Sequence, residues 1–491
     1  MKSNIYKLTL IICMLCAVSC EVTNDLDEFK PQYVIDQDRA IVDAKSAELA
    51  LTGAYSKLTN VEAWPFCSIF ASLQAGTSIK GNFSSYALAI DANQPDPNQT
   101  SIKQIYAAFY SLIERANLII REVPSISNQE FFSNPSRQDE IVAEAKILRA
   151  IGHFELLRFF GQFYDVNSNL GINVRLTPPA DDTPLPRVSV QDTYEAILQD
   201  LNDAIASAPD LREKYFVNKT FAKGLKAKVL LYMGDYPEAA IVAKDVIDNS
   251  DSNFQLASTF SELFTNASTS ILSSNESLFN FYSDASEDIG YGRFWGFGFT
   301  EAVASPSYRS LRTQSVVVNG QTISYDGSRI ATIAPLGPPF FLPANSKYKF
   351  FIETFETFYY LRMAEVYLIY AEAEARSTNS VTTNALEALN AIRIRAGATT
   401  TGGNGFETYP ATIPLNTFLE VVRMEKLVEL GIESGEEWFD LIRYDFADGF
   451  NSGFKVSDSK ATADNPDKFI FPIPQSSIET SNGVMIQNPS Y

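Results

Sequence analysis

Apolar residues recur at three- and four-residue intervals along most of this chain, which is the pattern of amphipathic helices. A first helix is predicted over residues 44–58. Residues 102–123 carry one apolar stripe, formed by Ile105, Phe109, Leu112, Ala116 and Ile119. The next helix has a clearer stripe, ended by Gly161 and formed by Ile141, Ala145, Leu148, Gly152, Leu156 and Phe159. Ala145 and Gly152 leave room for a neighbouring helix to approach closely.

Two stretches have the length of helical hairpins. Residues 219–249 turn at Gly234, and residues 361–396 carry small packing residues at Ala371, Ala373 and Ala375. Their spacing resembles a tetratricopeptide unit, whose repeat is about 34 residues. Because the two stretches are not adjacent, we expect a mostly α fold in which tetratricopeptide-like helical hairpins form a curved scaffold with long insertions.

The remaining pattern divides the chain into further helices and irregular stretches. Additional helices are predicted from the capping residue Ser189 to Pro209 and over 415–430 and 436–444. Residues 64–100 are predicted to be a loop, and residues 469–491 an extended tail. Residues 250–355 lack the three- and four-residue spacing of apolar residues that is typical of helices. They contain short alternating runs such as 315–324, so this stretch is predicted to be an irregular, loop-rich insertion with short strands.

The amino terminus has the composition of an export signal. Lys2 and Lys7 precede an apolar run of eleven residues, Leu8 to Val18, and small residues lead to Cys20. This run is too short to span a bilayer. It resembles a bacterial lipoprotein signal, so we expect Cys20 to be the lipid-carrying first residue of the mature protein. The alternative is an ordinary secretory signal that happens to precede a cysteine.

These features predict four regions along the chain. Residues 1–19 are the signal peptide, and residues 20–43 are a lipidated tether. Residues 44–250 form an N-terminal helical region. Residues 251–491 form a C-terminal region that includes the loop-rich segment 251–355.

Charge and residue counts exclude several kinds of chemistry. Removing residues 1–19 takes away two lysines and no acid, so the formal charge moves from −20 to −22. Nucleic acid is therefore not an expected partner, because phosphate binding needs basic patches. Only Cys67 remains once the leader is removed and Cys20 is acylated, and His153 is the single histidine. We expect His153 to be structural, and we expect no metal site and no cofactor.

Three stretches, taken together, resemble the SusD/RagB family of outer-membrane nutrient-binding lipoproteins. They are Ala143 to Ala150 running on to Gly161, then Arg423 to Leu427 with Glu436 to Arg443, and finally Phe471 to Gln475 with Gln487 to Tyr491. The resemblance covers essentially the whole mature chain. It implies a helical fold on tetratricopeptide-like hairpins with an irregular ligand region. It also implies a location outside the outer membrane, beside a SusC-like TonB-dependent barrel transporter that receives the captured glycan or peptide. Members of this family are not enzymes.

Sugar binding needs flat aromatic faces beside hydrogen-bonding groups. Nine aromatic residues fall between positions 279 and 308: Phe279, Phe281, Tyr282, Tyr291, Phe294, Trp295, Phe297, Phe299 and Tyr308. We select Trp295, Tyr291 and Arg293 there as candidate ligand residues. A second group in the early loop-rich segment consists of Trp64, Lys80, Asn82 and Tyr86. Trp438 is assigned to packing.

The leading hypothesis is a cell-surface lipoprotein that binds an oligosaccharide and does not cleave it. Three alternatives remain: the same protein with a peptide ligand, a lipid-anchored glycoside hydrolase, and an intracellular tetratricopeptide scaffold. A hydrolase needs two carboxyl groups at a defined separation, which sequence does not report. Glu436, Glu437, Asp440 and Arg443 lie close on one helix and are interpreted as an ion-paired helix face.

Overall fold

The computed structural model describes residues 40–58, 64–81, 87–178, 183–264, 274–281, 302–333, 358–400, 403, 405–447 and 454–491. Its helices are α1 (Ala44–Leu58), α2 (Trp64–Ala75), α3 (Leu88–Asp91), α4 (Thr100–Glu122), α5 (Arg137–Phe160), α6 (Val190–Ser207), α7 (Lys219–Met233), α8 (Tyr236–Asn249), α9 (Pro306–Ser310), α10 (Arg329–Ile333), α11 (Met363–Thr378), α12 (Thr383–Arg395), α13 (Leu415–Leu430), α14 (Glu436–Ala447), α15 (Val456–Ser459) and α16 (Gln475–Thr480). Short strands join them: β1 (Ser78–Lys80), β2 (Ser277–Phe281), β3 (Ala302–Ala304), β4 (Ser315–Val318), β5 (Gln321–Ser324) and β6 (Phe358–Arg362). The predicted mostly α fold is confirmed.

The two long amphipathic helices form where the apolar stripes predicted them. Every stripe residue of α4 and α5 named above is buried. The helices pack closely at Gly152, where an added Cβ would lie 2.7 Å from Cγ1 of Ile113. The predicted close approach at Gly152 is therefore confirmed. Helix α6 begins as its capping pattern predicted, because Ser189 Oγ accepts a hydrogen bond from the Asp192 backbone N–H at 3.0 Å.

The two predicted hairpins are present and pack against one another. In the first, α7 and α8 are joined at Gly234, whose φ of +84° is readily adopted by glycine. Asp235 then caps α8 by accepting a hydrogen bond from the Glu238 N–H at 3.3 Å. In the second hairpin α11 packs on α12, and α11 also lies along α8. Hairpins far apart in sequence are thus neighbours in the fold.

Two predicted irregular regions contain helices. Residues 64–75, predicted as loop, form α2, because Ile69, Phe70 and Leu73 bury a helical stripe. A proline in the first turn, as at Pro65, does not oppose a helix. The predicted extended tail likewise contains the short helix α16.

The strands form three antiparallel pairs, β1 with β3, β2 with β6, and β4 with β5. The alternating run at 315–324 forms two short strands, as predicted, and they pair as a hairpin turned by Asn319 and Gly320, both with positive φ. None of the helices in the described ranges combines the length and apolar character needed to cross a bilayer.

Candidate functional site

Two strand pairs hold the residues that flank the predicted ligand segment. Residues 282–301 lie outside the described residues, but Phe281 before them and Ala302 after them are described. Phe281 is paired with Phe358 at one end of the β2–β6 pair. Ala302 is paired with Lys80 at one end of the β1–β3 pair. Both ends of the segment therefore start from fixed strand positions.

The β1–β3 pair also relates the two predicted groups of ligand residues. Because the strands are antiparallel, the chain leaves β1 after Lys80 at the same end at which it enters β3 at Ala302. Tyr86 is six residues beyond Lys80, and Trp295 is seven residues before Ala302. An extended chain spans roughly 3.3–3.6 Å per residue, so both positions are within about 25 Å of that shared end.

Trp64 is a core residue, which corrects its prediction as a ligand residue. Its side chain is 2% exposed, and its ring centroid lies 5.0 Å from that of Phe281 and 4.9 Å from that of Tyr360. A ring enclosed in this way presents no face to a sugar. Trp64 instead packs beneath the last residue of β2, directly before the predicted ligand segment.

The other predicted ligand residues have different outcomes. Lys80 is partly exposed at the end of β1. Asn82, Tyr86, Tyr291, Arg293, Trp295 and the anchor residue Cys20 lie outside the described residues, and their roles stay predictions. Of the nine aromatic residues between 279 and 308, the three that are described, Phe279, Phe281 and Tyr308, are buried in the core.

A buried group of charges holds the base of the β2–β6 pair. Arg362, the last residue of β6, donates to Glu276 and Glu429 at 2.5 Å and to Glu433 at 3.0 Å. Glu276 directly precedes β2, so these ion pairs tie both strands to helix α13. Burial opposes the charge on Arg362, but Glu433, Glu429 and Glu276 hold its pKa well above the usual range.

A second buried group of charges contacts Tyr360, whose ring packs against Trp64. The hydroxyl of Tyr360 donates to Glu155 at 2.7 Å, and Glu155 pairs with Arg158 at 2.6 Å. Arg158 in turn contacts Glu436 at 2.5 Å, and Glu436 pairs with Lys228 at 2.6 Å. These contacts join helices α5, α7 and α14 to strand β6.

The ion pairing predicted on α14 is confirmed, but its surroundings differ from a solvated helix face. Arg443 contacts Asp440 at 2.5 Å and Glu372 at 3.0 Å, and all three side chains are buried. Sequence alone does not reveal this burial, because Glu372 lies 71 residues away along the chain. The predicted packing role of Trp438 is confirmed, since its ring is 1% exposed.

His153 has the structural role predicted for it. Its Nε2 accepts a hydrogen bond from the backbone N–H of Arg175 at 3.2 Å. Burial, together with the charges of Arg149 and Arg175, lowers the pKa of His153 to about 3, so the ring is neutral. Within the described ranges, no three His, Cys, Asp or Glu side chains are grouped as metal ligands.

Comparisons with known families match two parts of the chain. Residues 31–231 match a family described as "Starch-binding associating with outer membrane". Residues 347–491 match the SusD family. Together with the fold, these matches define the chain as a member of the SusD/RagB family.

One curated relative is a SusD-like protein from Formosa agariphila, with 31% identity over 131 residues. The match covers 27% of this chain and 23% of that relative's length.

Solved structures of the same superfamily share the fold. A SusD superfamily protein from Bacteroides thetaiotaomicron has a TM-score of 0.74 at 22% identity, with 91% of this chain and 100% of that chain covered. A laminarin-binding SusD-like protein has a TM-score of 0.70 at 19% identity, with 92% and 100% covered.

Proposed function

We propose that this protein is a lipid-anchored, surface-exposed receptor of the outer membrane that captures an oligosaccharide and passes it to a SusC-like TonB-dependent transporter. The lipid is attached at Cys20. Binding uses ring stacking and hydrogen bonds, and no glycosidic bond is broken. Trp295, Tyr291 and Arg293 supply the main contacts, and Lys80, Asn82 and Tyr86 supply contacts from the early segment.

The observation that carries this proposal is the pairing of Lys80 with Ala302. This pairing brings the ends of the two predicted ligand segments to one end of one small sheet. A pyranose needs an apolar surface for its C–H groups and polar groups for its hydroxyls. The segment before Ala302 is rich in aromatic residues, and the segment after Lys80 adds Asn82 and Tyr86.

Family membership supports the class of ligand and the location. The family matched at residues 31–231 is described as starch-binding and as associating with the outer membrane. One structural neighbour is a laminarin-binding protein. Starch and laminarin are both glucans, so glucose oligomers are the first ligands to test.

The test is a binding titration combined with an assay for cleavage. Laminarihexaose and maltohexaose are titrated by calorimetry into the chain lacking residues 1–20, and new reducing ends are measured after long incubation. The expected result is saturable heat with at least one glycan and no release of reducing ends. Steady release of reducing ends would indicate a hydrolase, and heat only with oligopeptides would indicate the peptide-binding alternative.

Anchoring and transport are tested in the native cell. Globomycin should block processing at Cys20, and mass spectrometry of the purified protein should show a lipid on that residue. A barrel transporter should co-purify with the protein from membranes in mild detergent. An unmodified Cys20 together with a cytosolic location would refute the proposed anchoring.

A further inference from the structure

The last turn of α5 is capped by residues that lie far along the chain. Gly161 has an extended backbone, so α5 stops there and supplies no helical donor to the carbonyls of Phe159 and Phe160. The Phe471 N–H donates to the Phe159 carbonyl at 2.6 Å. Asn488 is 328 positions from Phe160, and its Nδ2 donates to the Phe160 carbonyl at 2.9 Å. A buried helix end therefore depends on distant donors.

Residues 484–491, which we call the strap, dock through side-chain hydrogen bonds. Asn488 is 2% exposed, and its Nδ2 also donates to the Phe471 carbonyl at 2.6 Å. Gln487 uses its side-chain amide where a neighbouring strand would use its backbone. Its Oε1 accepts from the Ile473 N–H at 2.8 Å, and its Nε2 donates to the Ile473 carbonyl at 2.7 Å. These contacts hold the strap against the stretch that precedes it.

Arg187 forms the other side of the position that Asn488 occupies. Its Nη1 donates to Asn488 Oδ1 at 2.7 Å and to the Ile486 carbonyl at 3.1 Å. Its Nε and Nη2 donate to three carbonyls that do not belong to the strap, those of Gly171, Leu170 and Phe160. Most of the surface that receives Asn488 is therefore held in place without the strap.

The strap has little of the apolar burial that stabilises the core. Ile486 is 68% exposed and Val484 is 41% exposed. Segments that bury little apolar surface open at a lower free energy than the core does. Docking also closes a loop of 328 positions between Phe160 and Asn488. The entropy of closing such a loop opposes early formation of these contacts.

We propose that the strap is a closing device, which docks after the rest of the described scaffold has formed and completes the cap of α5. Before it docks, the Phe160 carbonyl lacks the amide of Asn488, and Arg187 Nη1 lacks both of its acceptors. This end of α5 is then open to water. Because a chain is made from its amino end, α5 is available long before the strap is. The inference concerns folding and is independent of the ligand and the lipid anchor proposed above.

Stopped-flow unfolding and refolding of the chain lacking residues 1–20 test this order. The variant Asn488→Ala removes the strap's contacts with Phe160 and Arg187. If the strap docks after the main barrier, this variant should unfold about tenfold faster than the wild type, and its refolding rate should stay within about twofold. The matched control is Asn202→Ala, exposed on α6, which should change neither rate by more than about twofold. A slower refolding rate with an unchanged unfolding rate in Asn488→Ala would overturn the proposal.

A second measurement needs no variant. In pulsed hydrogen exchange during refolding of the wild-type chain, the Ile473 N–H reports docking, because its acceptor is Gln487 Oε1. Peptides from α4, α5 and α7 should gain protection before the peptide that contains Ile473. Later protection of that peptide would support the proposal even if Asn488→Ala does not fold. Protection of that peptide together with the helices, or before them, would overturn it.

Discussion

The indole ring of Trp64 packs against the ring of Phe281 with 5.0 Å between their centroids, although the two residues are 217 positions apart in sequence. Phe281 is the last residue of β2, and the predicted ligand segment begins directly after it. A helix near the amino terminus thus fixes the start of a segment in the second half of the chain. We therefore predict that Trp64 affects binding only through the position and stability of β2, without touching the ligand.

Replacing Trp64 by alanine should therefore lower stability strongly. A buried tryptophan replaced by alanine typically costs about 3–5 kcal/mol in the free energy of unfolding. Thermal and denaturant unfolding measure the loss. The control Phe132→Ala changes a side chain that is 83% exposed and should shift the free energy by no more than about 0.5 kcal/mol. An unfolding free energy unchanged in Trp64→Ala would contradict its burial.

Replacing Trp295 by alanine should weaken ligand binding and leave stability nearly unchanged, in contrast to Trp64→Ala. Because we propose that this ring stacks on the sugar, oligosaccharide affinity should fall about tenfold, while the melting temperature stays nearly unchanged. Calorimetric titration and thermal unfolding on the same sample distinguish the two effects. A large drop in melting temperature with unchanged affinity would assign Trp295 to the core instead.

Removing Arg362 should destabilise the protein because it leaves buried carboxylates without their partner. Glu276, Glu429 and Glu433 all contact this guanidinium. Breaking a buried ion pair from one side typically costs about 3–5 kcal/mol. The control is Arg121→Ala, since Arg121 is 43% exposed and its pair with Glu122 should contribute about 1 kcal/mol or less. Similar losses in the two variants, measured by denaturant unfolding, would show that the buried group is not stabilising.

The carboxyl of Glu365 should give stability a specific pH dependence. Burial raises its pKa from 4.5 to about 7, against the lowering effect of Lys228 and with a further rise from Glu436. The folded state then binds this proton more tightly than the unfolded state. The stability that Glu365 contributes is present below about pH 4.5 and is lost as pH rises towards 7.

The variant Glu365→Gln removes this titration and tests the sign. The unfolding free energy of the wild type minus that of the variant should decrease between pH 4.5 and 7.5. Exposed Glu387 provides the control, because Glu387→Gln should give a difference that is nearly constant over the same range. A wild-type advantage over Glu365→Gln that grows with pH would reverse the assignment.

The contact between α4 and α5 predicts the effect of one methyl group. Gly152→Ala places a Cβ 2.7 Å from Cγ1 of Ile113, so overpacking should cost about 1–3 kcal/mol despite the better helix propensity of alanine. Gly53 in α1 is the matched control. There an added Cβ meets the end of a flexible side chain, Nη1 of Arg115, at 3.3 Å, and Gly53→Ala should be neutral or stabilising. Equal unfolding midpoints for the two variants would contradict the close packing.

The sequence predicted the features that depend on the spacing of apolar and polar residues within one element. The stripes of α4 and α5, the turn at Gly234 and the short strands within 315–324 all follow from local residue spacing. It did not predict α2, because Pro65 and the many Ser, Thr and Gly residues of the wider 64–100 region were interpreted as signs of a loop. It also did not predict the buried charges, because the partners of Arg362 lie 67 to 86 residues away and burial depends on the assembled fold.

The candidate site was predictable to a smaller extent. Aromatic residues concentrate between 279 and 308, but composition does not separate core rings from ligand rings. Phe279 and Phe281 belong to the core because they sit on a strand enclosed by helices.

The strand pairs Phe281 with Phe358 and Lys80 with Ala302 fix the residues on either side of positions 282–301, so we expect this stretch to be exchangeable as one cassette. With both junctions fixed by the scaffold, doubling the length of such an insert costs only about 0.6 kcal/mol in closure entropy. A relative's equivalent stretch could be grafted between the same two junctions with little loss of folding. Under the proposed function, such an exchange should change ligand preference without a comparable change in stability, so a grafted chimera would be a direct route to receptors with altered glycan preference.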